Sequence, residues 1–320
     1  MTIRRLQSFL SLTEFFLISI FLSTGIAADQ FPDKVSIQYA KGFRVEYHDS
    51  YKVLTVLKPW NQAQTMFQYV LVPRGNPRPS GYEEFQYIDI PLRSIVTMST
   101  TYLKQLSELQ VLDTLVGHSN FQYINTPEVI NIIKEGRIEE VGDGINVNIE
   151  LLMDLSPDVI MTYSVGNVYD SHPKLLEAGL PTVLNAAYME STPLGRAEWL
   201  KFIAIFYNKE AEAERIFSAI EHSYNVLKRK AEQVDDRPTV LLNAPYNGKW
   251  WIPGGHSYLA AFINDAGARY LWEGIPSSGS REVDFEAVYE RASEADFWLN
   301  PGQWRTLEDG LRSDERLTEF

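Results

Sequence analysis

Residues 192–230 constrain the fold of this 320-residue chain more than any other part, because they read as one nearly unbroken helical connector between two segments that each alternate strand and helix. Thr192 fits a helix N-cap with Pro193 at the first helical position, where a missing N–H costs no bond, and Asn208 fits a second cap opening the longer piece. Beyond it Ala213, Phe217, Ile220, Tyr224, Leu227 and Ala231 recur at steps of three and four, which predicts a buried stripe. Lys209, Glu210, Glu214, Arg215, Glu221 and Lys228 take the other faces. A helix over 208–234 runs about 40 Å, the width of two small lobes side by side. Two architectures accommodate it. One is a clamp of two α/β lobes with mainly parallel sheets joined by one long rigid helix; the other is a single α/β domain that contains a long helix.

The first residues address the chain rather than fold it. Arg4 and Arg5, an apolar run over 9–22 and the small residues Gly25-Ile26-Ala27-Ala28 have the layout of an export signal over 1–27, with cleavage after Ala27. The run is shorter than the about 20 residues a membrane span needs, so a retained anchor is the lesser reading. Without the Phe that a twin-arginine signal prefers two places on, the general secretory route fits better. The chain has no cysteine, so disulfides are excluded and stability must come from core burial. The same absence predicts a periplasmic protein that is not a lipoprotein.

The net charge is −13, and without residues 1–27 it becomes −14, from 27 basic and 41 acidic residues. Such a chain repels nucleic acid, and no basic run interleaved with aromatics offsets this, so no nucleic-acid partner is expected. An aromatic content of 12% suits a protein that closes on a bulky ligand, and equally one that fills its core with rings.

Three units follow from the pattern: an N-terminal α/β lobe over 28–191 with a β-rich edge extension, the connector over 192–236, and a C-terminal α/β lobe over 237–320. The extension carries strands over 35–39, 53–57 and 67–72, then an exposed Pro/Gly-rich loop over 73–81. Strands over 94–98, 114–116, 158–162 and 181–184 then alternate with helices over 101–109, 127–134, 149–155 and 173–178, which implies a mainly parallel sheet. After the connector the alternation resumes with strands over 239–243, 250–252 and 296–299 and helices over 257–266 and 285–292. Past Asn300-Pro301-Gly302 two short helical pieces remain, so the second lobe is expected to be incomplete.

Two acidic corners recur. Asn148 suits an N-cap with Glu150 in the first helical turn, where the dipole favours a carboxylate, and Asp284 with Glu286 repeats the arrangement. Each is followed by a short helix and a strand entered through an aspartate, Asp158 or Asp296. By themselves these are ordinary dipole-pairing glutamates.

Four segments together resemble one known family. Arg93-Ser94-Ile95-Val96 with Leu115-Val116-Gly117-His118-Ser119 is similar to its opening strand, helix and strand. Gly142, Asn148-Ile149-Glu150-Leu151-Leu152 and Leu155-Ser156-Pro157-Asp158-Val159-Ile160 look like its NxE and LxPD signature. Thr192-Pro193-Leu194-Gly195-Arg196-Ala197-Glu198-Trp199 resembles the connector start of one iron-complex subgroup, and Trp251-Ile252-Pro253-Gly254-Gly255-His256-Ser257-Tyr258 with Asp265-Ala266-Gly267 completes the set. The family is the iron-siderophore and vitamin B12 class of ABC-transporter substrate-binding proteins, and the likeness extends from about Ile88 onward. It implies two lobes on a rigid helix, capture of a metal chelate and delivery to a membrane permease. Glu150 and Glu286 fall on the positions that dock into permease arginines in that family.

Ligands of open α/β sheets lie beyond the carboxyl ends of the strands, so the loops there are the candidate binding region. On the first lobe they hold Ser99 and Thr100, then His118, Ser119 and Asn120, then Tyr163 and Ser164. On the second they hold Tyr246, Asn247, Trp250 and Trp251, with Trp272 and Trp304 as further candidates. Aromatic faces with a few hydroxyl and amide groups suit a large chelate whose metal is already wrapped. Trp251 also suits a strand-end core position, and His118 a satisfied loop histidine.

Bare metal capture would need several converging ligands, whereas His48, His118, His172, His222 and His256 include no pair at i, i+4. Phosphate-loop, His-Glu-x-x-His and nucleophile-elbow motifs are absent, and Ser257 after Gly254-Gly255-His256 fits a helix cap better than an elbow. A hydrolase built on an Asp/Glu pair stays open but no motif supports it. The sequence therefore predicts a monomeric, exported, non-enzymatic binding protein for a ferric siderophore, with a corrinoid such as cobalamin as the alternative ligand, an ABC importer permease as partner, and no cofactor.

Overall fold

The computed structural model describes residues 29–320 apart from 247, 294, 301, 303 and 305, so the expected export signal over 1–27 lies outside the described residues. All sheets and helices below are those among the described residues.

The edge extension forms its own sheet. Strands β1 (Phe43–Tyr47), β2 (Lys52–Val56) and β3 (Phe67–Pro73) pair antiparallel, and β4 (Gln86–Ile90) runs parallel to β3. No strand forms over 35–39, contrary to expectation, because the backbone there is claimed by side chains. The N–H groups of Gln38, Tyr39 and Ala40 donate to the fully buried carboxylate of Glu198 at 2.7–3.1 Å, and Ser36 O accepts from Lys201 Nζ at 2.6 Å. Buried charges demand such partners, and a strap of backbone supplies them.

The first lobe is built on a parallel sheet. Its chain order is β5 (Ile95–Thr97), α1 (Thr101–Glu108), β6 (Leu115–His118), α2 (Pro127–Lys134), β7 (Glu139–Glu140), α3 (Ile149–Leu155), β8 (Val159–Thr162), α4 (Ser171–Glu177) and β9 (Thr182–Leu184). The strands lie in the order β7-β6-β5-β8-β9, every pair parallel. Every residue of β5, β8 and β9 is buried, as a sheet covered on both faces requires. The direction of winding reverses between β5 and β8.

The connector is two helices, which corrects the expectation of one nearly unbroken rod. Helix α5 (Pro193–Ala204) sits inside the first lobe, where Trp199, Phe202 and Phe206 join one core with Leu54, Leu71, Ile88 and Val159. Thr192 caps it, accepting from Gly195 N–H at 3.1 Å. Helix α6 (Glu210–Ala231) starts afresh after a break at 205–209. Asn208 is not a cap but a left-handed residue with φ +53°. The fully buried Lys52 Nζ donates to Ile205 O at 2.8 Å, to Asn208 Oδ1 at 2.8 Å and to Glu210, so the break is filled by one ammonium. Glu210, expected on an outer face, is consequently buried.

The predicted stripe along α6 holds for half its length. Ala213 and Phe217 are buried, whereas Ile220 is 40% and Leu227 64% exposed, because α6 leaves the first lobe there. Its far half meets the second lobe through Tyr224 and Lys228, both bonded to Asp265 at 2.8 Å. With 22 residues it spans about 33 Å.

The second lobe runs β10 (Thr239–Leu242), β11 (Pro245–Tyr246), β12 (Lys249–Pro253), α7 (Tyr258–Asp265), β13 (Arg269–Tyr270), β14 (Ser280–Val283), α8 (Phe285–Ala292), β15 (Phe297–Leu299) and α9 (Leu307–Ser313). Strands β13-β10-β15 are parallel, and β11-β12-β14 form a separate antiparallel sheet. The two lobes repeat one device: β10 lies between β13 and β15 as β5 lies between β6 and β8. Asp158 accepts from Ser94 N–H at 3.2 Å while its own N–H donates to Ser94 Oγ at 2.9 Å. Asp296 does the same with Thr239, at 2.7 and 3.1 Å. Each aspartate fixes the register of two parallel strands where they begin. The chain is thus a mixed α/β fold with mainly parallel central sheets.

Candidate functional site

A cavity of about 450 Å³ opens at the carboxyl ends of β5, β8 and β9, lined by Ser99, Thr101, Tyr102, Gln105, Tyr163, Val165, Asn185, Ala187, Tyr188, Arg196 and Ala197. It stands where the strand order reverses between β5 and β8, the usual ligand position in such sheets. The walls are fixed by hydrogen bonds between loops. Tyr102 OH donates to Thr162 O at 3.1 Å and Asn185 O at 3.3 Å, and Tyr188 OH donates to Ser164 O at 2.7 Å. The loop after β8 winds around Asp170, whose carboxylate accepts from Ser164 Oγ at 2.5 Å and from Gly166 N–H at 2.8 Å. Burial, with the charge of Asp170 adding, pushes the Tyr188 phenol up to about 12, and burial likewise raises Tyr102 and Tyr163. The three phenols are therefore neutral hydroxyls at ordinary pH.

Arg196 supplies the one formal charge in this lining. Its Nη2 donates to Tyr188 O at 2.5 Å and its Nε to Glu190 O at 3.2 Å. The guanidinium carbon lies 3.4 Å from the ring centre of Tyr258, which opens α7 in the second lobe, so the contact bridges the lobes. Gln105 contributes a buried Oε1 without a hydrogen-bond partner among the described residues.

Of the first-lobe residues anticipated from the sequence, Ser99 and Tyr163 line this cavity. Thr100 stands at the N-cap position of α1, and Ser119 and Ser164 are buried outside the lining. His118 is not in the lining. It is fully buried, with Nδ1 2.8 Å from Thr97 Oγ1, and burial lowers its pKa to about 4. Arg196, Gln105 and Tyr188 line the cavity but were not anticipated from the sequence. A cation in the opening turns of a helix, against its dipole, was the available signal for Arg196.

The second lobe has a cavity of about 770 Å³ at the ends of its own strands, lined among others by Asn243, Tyr246, Trp251, Asn300 and Trp304. Tyr246, Trp251 and Trp304 all line this cavity, with Tyr246 and Trp251 exposed. Trp250 is not part of it: side chains alternate along β12, and Trp250 points inward, fully buried, its Nε1 donating to Leu242 O at 3.0 Å. Trp272 is likewise a core residue, packed on Tyr270 with ring centres 6.0 Å apart. Asn247 lies outside the described residues. Among the described residues no three His, Cys, Asp or Glu side chains gather as a metal site.

Glu150 is exposed in the first turn of α3, where Asn148 Oδ1 accepts from Leu151 N–H at 3.0 Å. Glu286 is 80% exposed in the first turn of α8, 3.7 Å from Arg316. Asp284 stands at the N-cap position there, but its side chain makes no capping bond.

The sequence profile of a family described as periplasmic binding protein matches residues 95–320. An uncharacterized lipoprotein of Methanocaldococcus jannaschii is 29% identical over 290 residues, which cover 83% of this chain and 68% of that protein. A periplasmic binding protein of Veillonella parvula superposes with a TM-score of 0.57 at 12% identity, covering 86% of this chain and 83% of its own. A protein of the ABC-type Fe3+-hydroxamate transport system of Saccharomonospora viridis gives 0.55 at 15% identity, covering 72% and 81%. At these identities the two structures speak to the fold alone.

Proposed function

This chain belongs to the periplasmic binding protein family, and from that membership we propose that it captures a ferric siderophore outside the cytoplasm and hands it to an ABC importer. It is a binding protein rather than an enzyme. The observation that carries the ligand class is the first-lobe cavity, where the neutral phenols of Tyr163 and Tyr188 and the hydroxyls of Ser99 and Thr101 stand among apolar side chains. Such a lining suits a chelate whose metal is already wrapped, since it offers ring faces and hydrogen bonds rather than metal ligands. The fold shared with a protein of a hydroxamate-iron system supports the same choice.

In this reading the lobes are two jaws and α6 is the spacer that holds them apart. Tyr246, Trp251 and Trp304 offer the opposing aromatic surface, and Glu150 and Glu286 are the docking points for the permease. We place the protein in the periplasm as a monomer without a lipid anchor. Because the Methanocaldococcus relative is named a lipoprotein, extraction of cells with and without detergent is the check on that last point.

Tryptophan-quenching titration tests the ligand class. Saturable quenching by ferric siderophores, with none from cobalamin or free ferric ion, is the expected result. Saturation by cobalamin alone moves the assignment to a corrinoid, and saturation by the bare ion alone refutes capture of a chelate.

A further inference from the structure

The first-lobe cavity belongs to a chain with a net charge of −13, yet the one formal charge in its lining is positive. Arg196 is half-buried, and among the described residues its guanidinium makes no direct ion pair with a carboxylate, although the charge of Glu190 is close enough to be felt. The nearby Glu190 is spent elsewhere: its Oε1 accepts from the N–H groups of Lys41 and Gly42, both at 2.8 Å, and from Trp199 Nε1 at 3.0 Å. What holds the guanidinium is neutral. Two backbone carbonyls take Nη2 and Nε, and the Tyr258 ring covers one face, leaving Nη1 without a partner among the described residues.

Removing a guanidinium from water without a counter-ion is unfavourable, and a planar fork already fixed in place loses little entropy when it gains an oxyanion. Burial draws the Arg196 pKa below its ordinary value, with the nearby Glu190 charge opposing the shift without cancelling it. Gln105, with its unpartnered Oε1 in the same lining, is an acceptor that calls for a donor on the ligand and adds nothing to the attraction for an anion.

We propose that the cavity selects a chelate that keeps an uncoordinated anionic oxygen group, a carboxylate or its equivalent, and that this group seats on Arg196. The inference rests on the chelate reading above and narrows it from any ferric complex to one with a free anion beside an apolar body. Arg196 is then a specificity residue as well as a bridge to Tyr258.

A matched pair of probes tests it: ferric desferrioxamine B carrying an N-succinyl group, which ends in a free carboxylate, and the same complex carrying a neutral N-acetyl group. The wild-type protein is expected to bind the succinyl complex about tenfold more tightly or better, the size of one charge-assisted hydrogen bond. Arg196→Gln is expected to abolish that preference, so that the two complexes bind alike, and Arg196→Lys to keep part of it. Equal wild-type affinity for the two complexes overturns this inference alone. So does a preference that survives in Arg196→Gln, or a loss of both affinities to the same extent, which is what a purely structural bridge would give. Binding of neither complex by the wild-type protein overturns the chelate reading and this inference with it.

Discussion

At the scale of single residues, the fold is tuned by buried polar groups, some fully and some only half satisfied. His118 and His172 are a matched pair, each with Nδ1 2.8 Å from a threonine hydroxyl and a buried Nε2 without a partner among the described residues. Burial lowers both to about 4, with Asp170 opposing the shift at His172. As pH falls below 6.5 the unfolded chain takes up protons on these rings while the folded chain stays neutral down to about 4. Stability is therefore full above 6.5, is lost across that window and levels off below it. Between pH 7 and 5 the loss amounts to roughly 2 kcal/mol per histidine. Urea denaturation at the two pH values measures it. His172→Asn should lower the pH slope by about one proton, and an unchanged slope would refute the assignment. Neither histidine announced this role in the sequence, because burial depends on what packs around a position rather than on the residue itself.

Among the elements, α6 shows how far a periodic pattern reaches. Its stripe is continuous in the sequence from Ala213 to Ala231, but only the part that touches the first lobe is covered. Substitution along one stripe should therefore have opposite consequences. Phe217→Ala should cost about 3–5 kcal/mol, the usual penalty for emptying a buried aromatic site. Leu227→Glu should change stability by less than about 0.5 kcal/mol, since it alters an exposed face. Guanidinium unfolding midpoints check both, and equal losses would mean that the stripe is buried throughout. Helices such as α2 and α3 were legible because a cap, a proline or an apolar period marks them locally. Short strands such as β7, β11 and β13 were not, because two residues carry no period and exist only through a neighbouring strand.

The whole molecule repeats one unit. In each lobe an aspartate ties a strand to the central one, and a glutamate stands exposed in the first turn of the helix before it. If Glu150 and Glu286 dock to a permease, Glu150→Ala with Glu286→Ala should leave ligand affinity unchanged and abolish ligand-dependent stimulation of the reconstituted transporter. Transport at the wild-type level would remove the docking role. Each change should cost the fold little, because an exposed first-turn glutamate gains only about 0.3–1 kcal/mol from the helix dipole.

The amino-acid sequence alone determined the alternation of strands and helices, the helical character of the connector though not its break, the two acidic corners and the family, because caps, turns and periodicity are written within a few neighbouring residues. It also pointed to the strand ends as the candidate binding region, through the general rule for parallel sheets. Only the tertiary structure decided which residues there face a cavity. Trp250 and Trp251 are adjacent in the chain, yet one is sealed in the core and the other exposed, as the pleat of β12 requires. The charge of Arg196 is held by carbonyls of its own lobe and covered by a tyrosine 62 positions away, a contact that exists only where the second lobe meets the first.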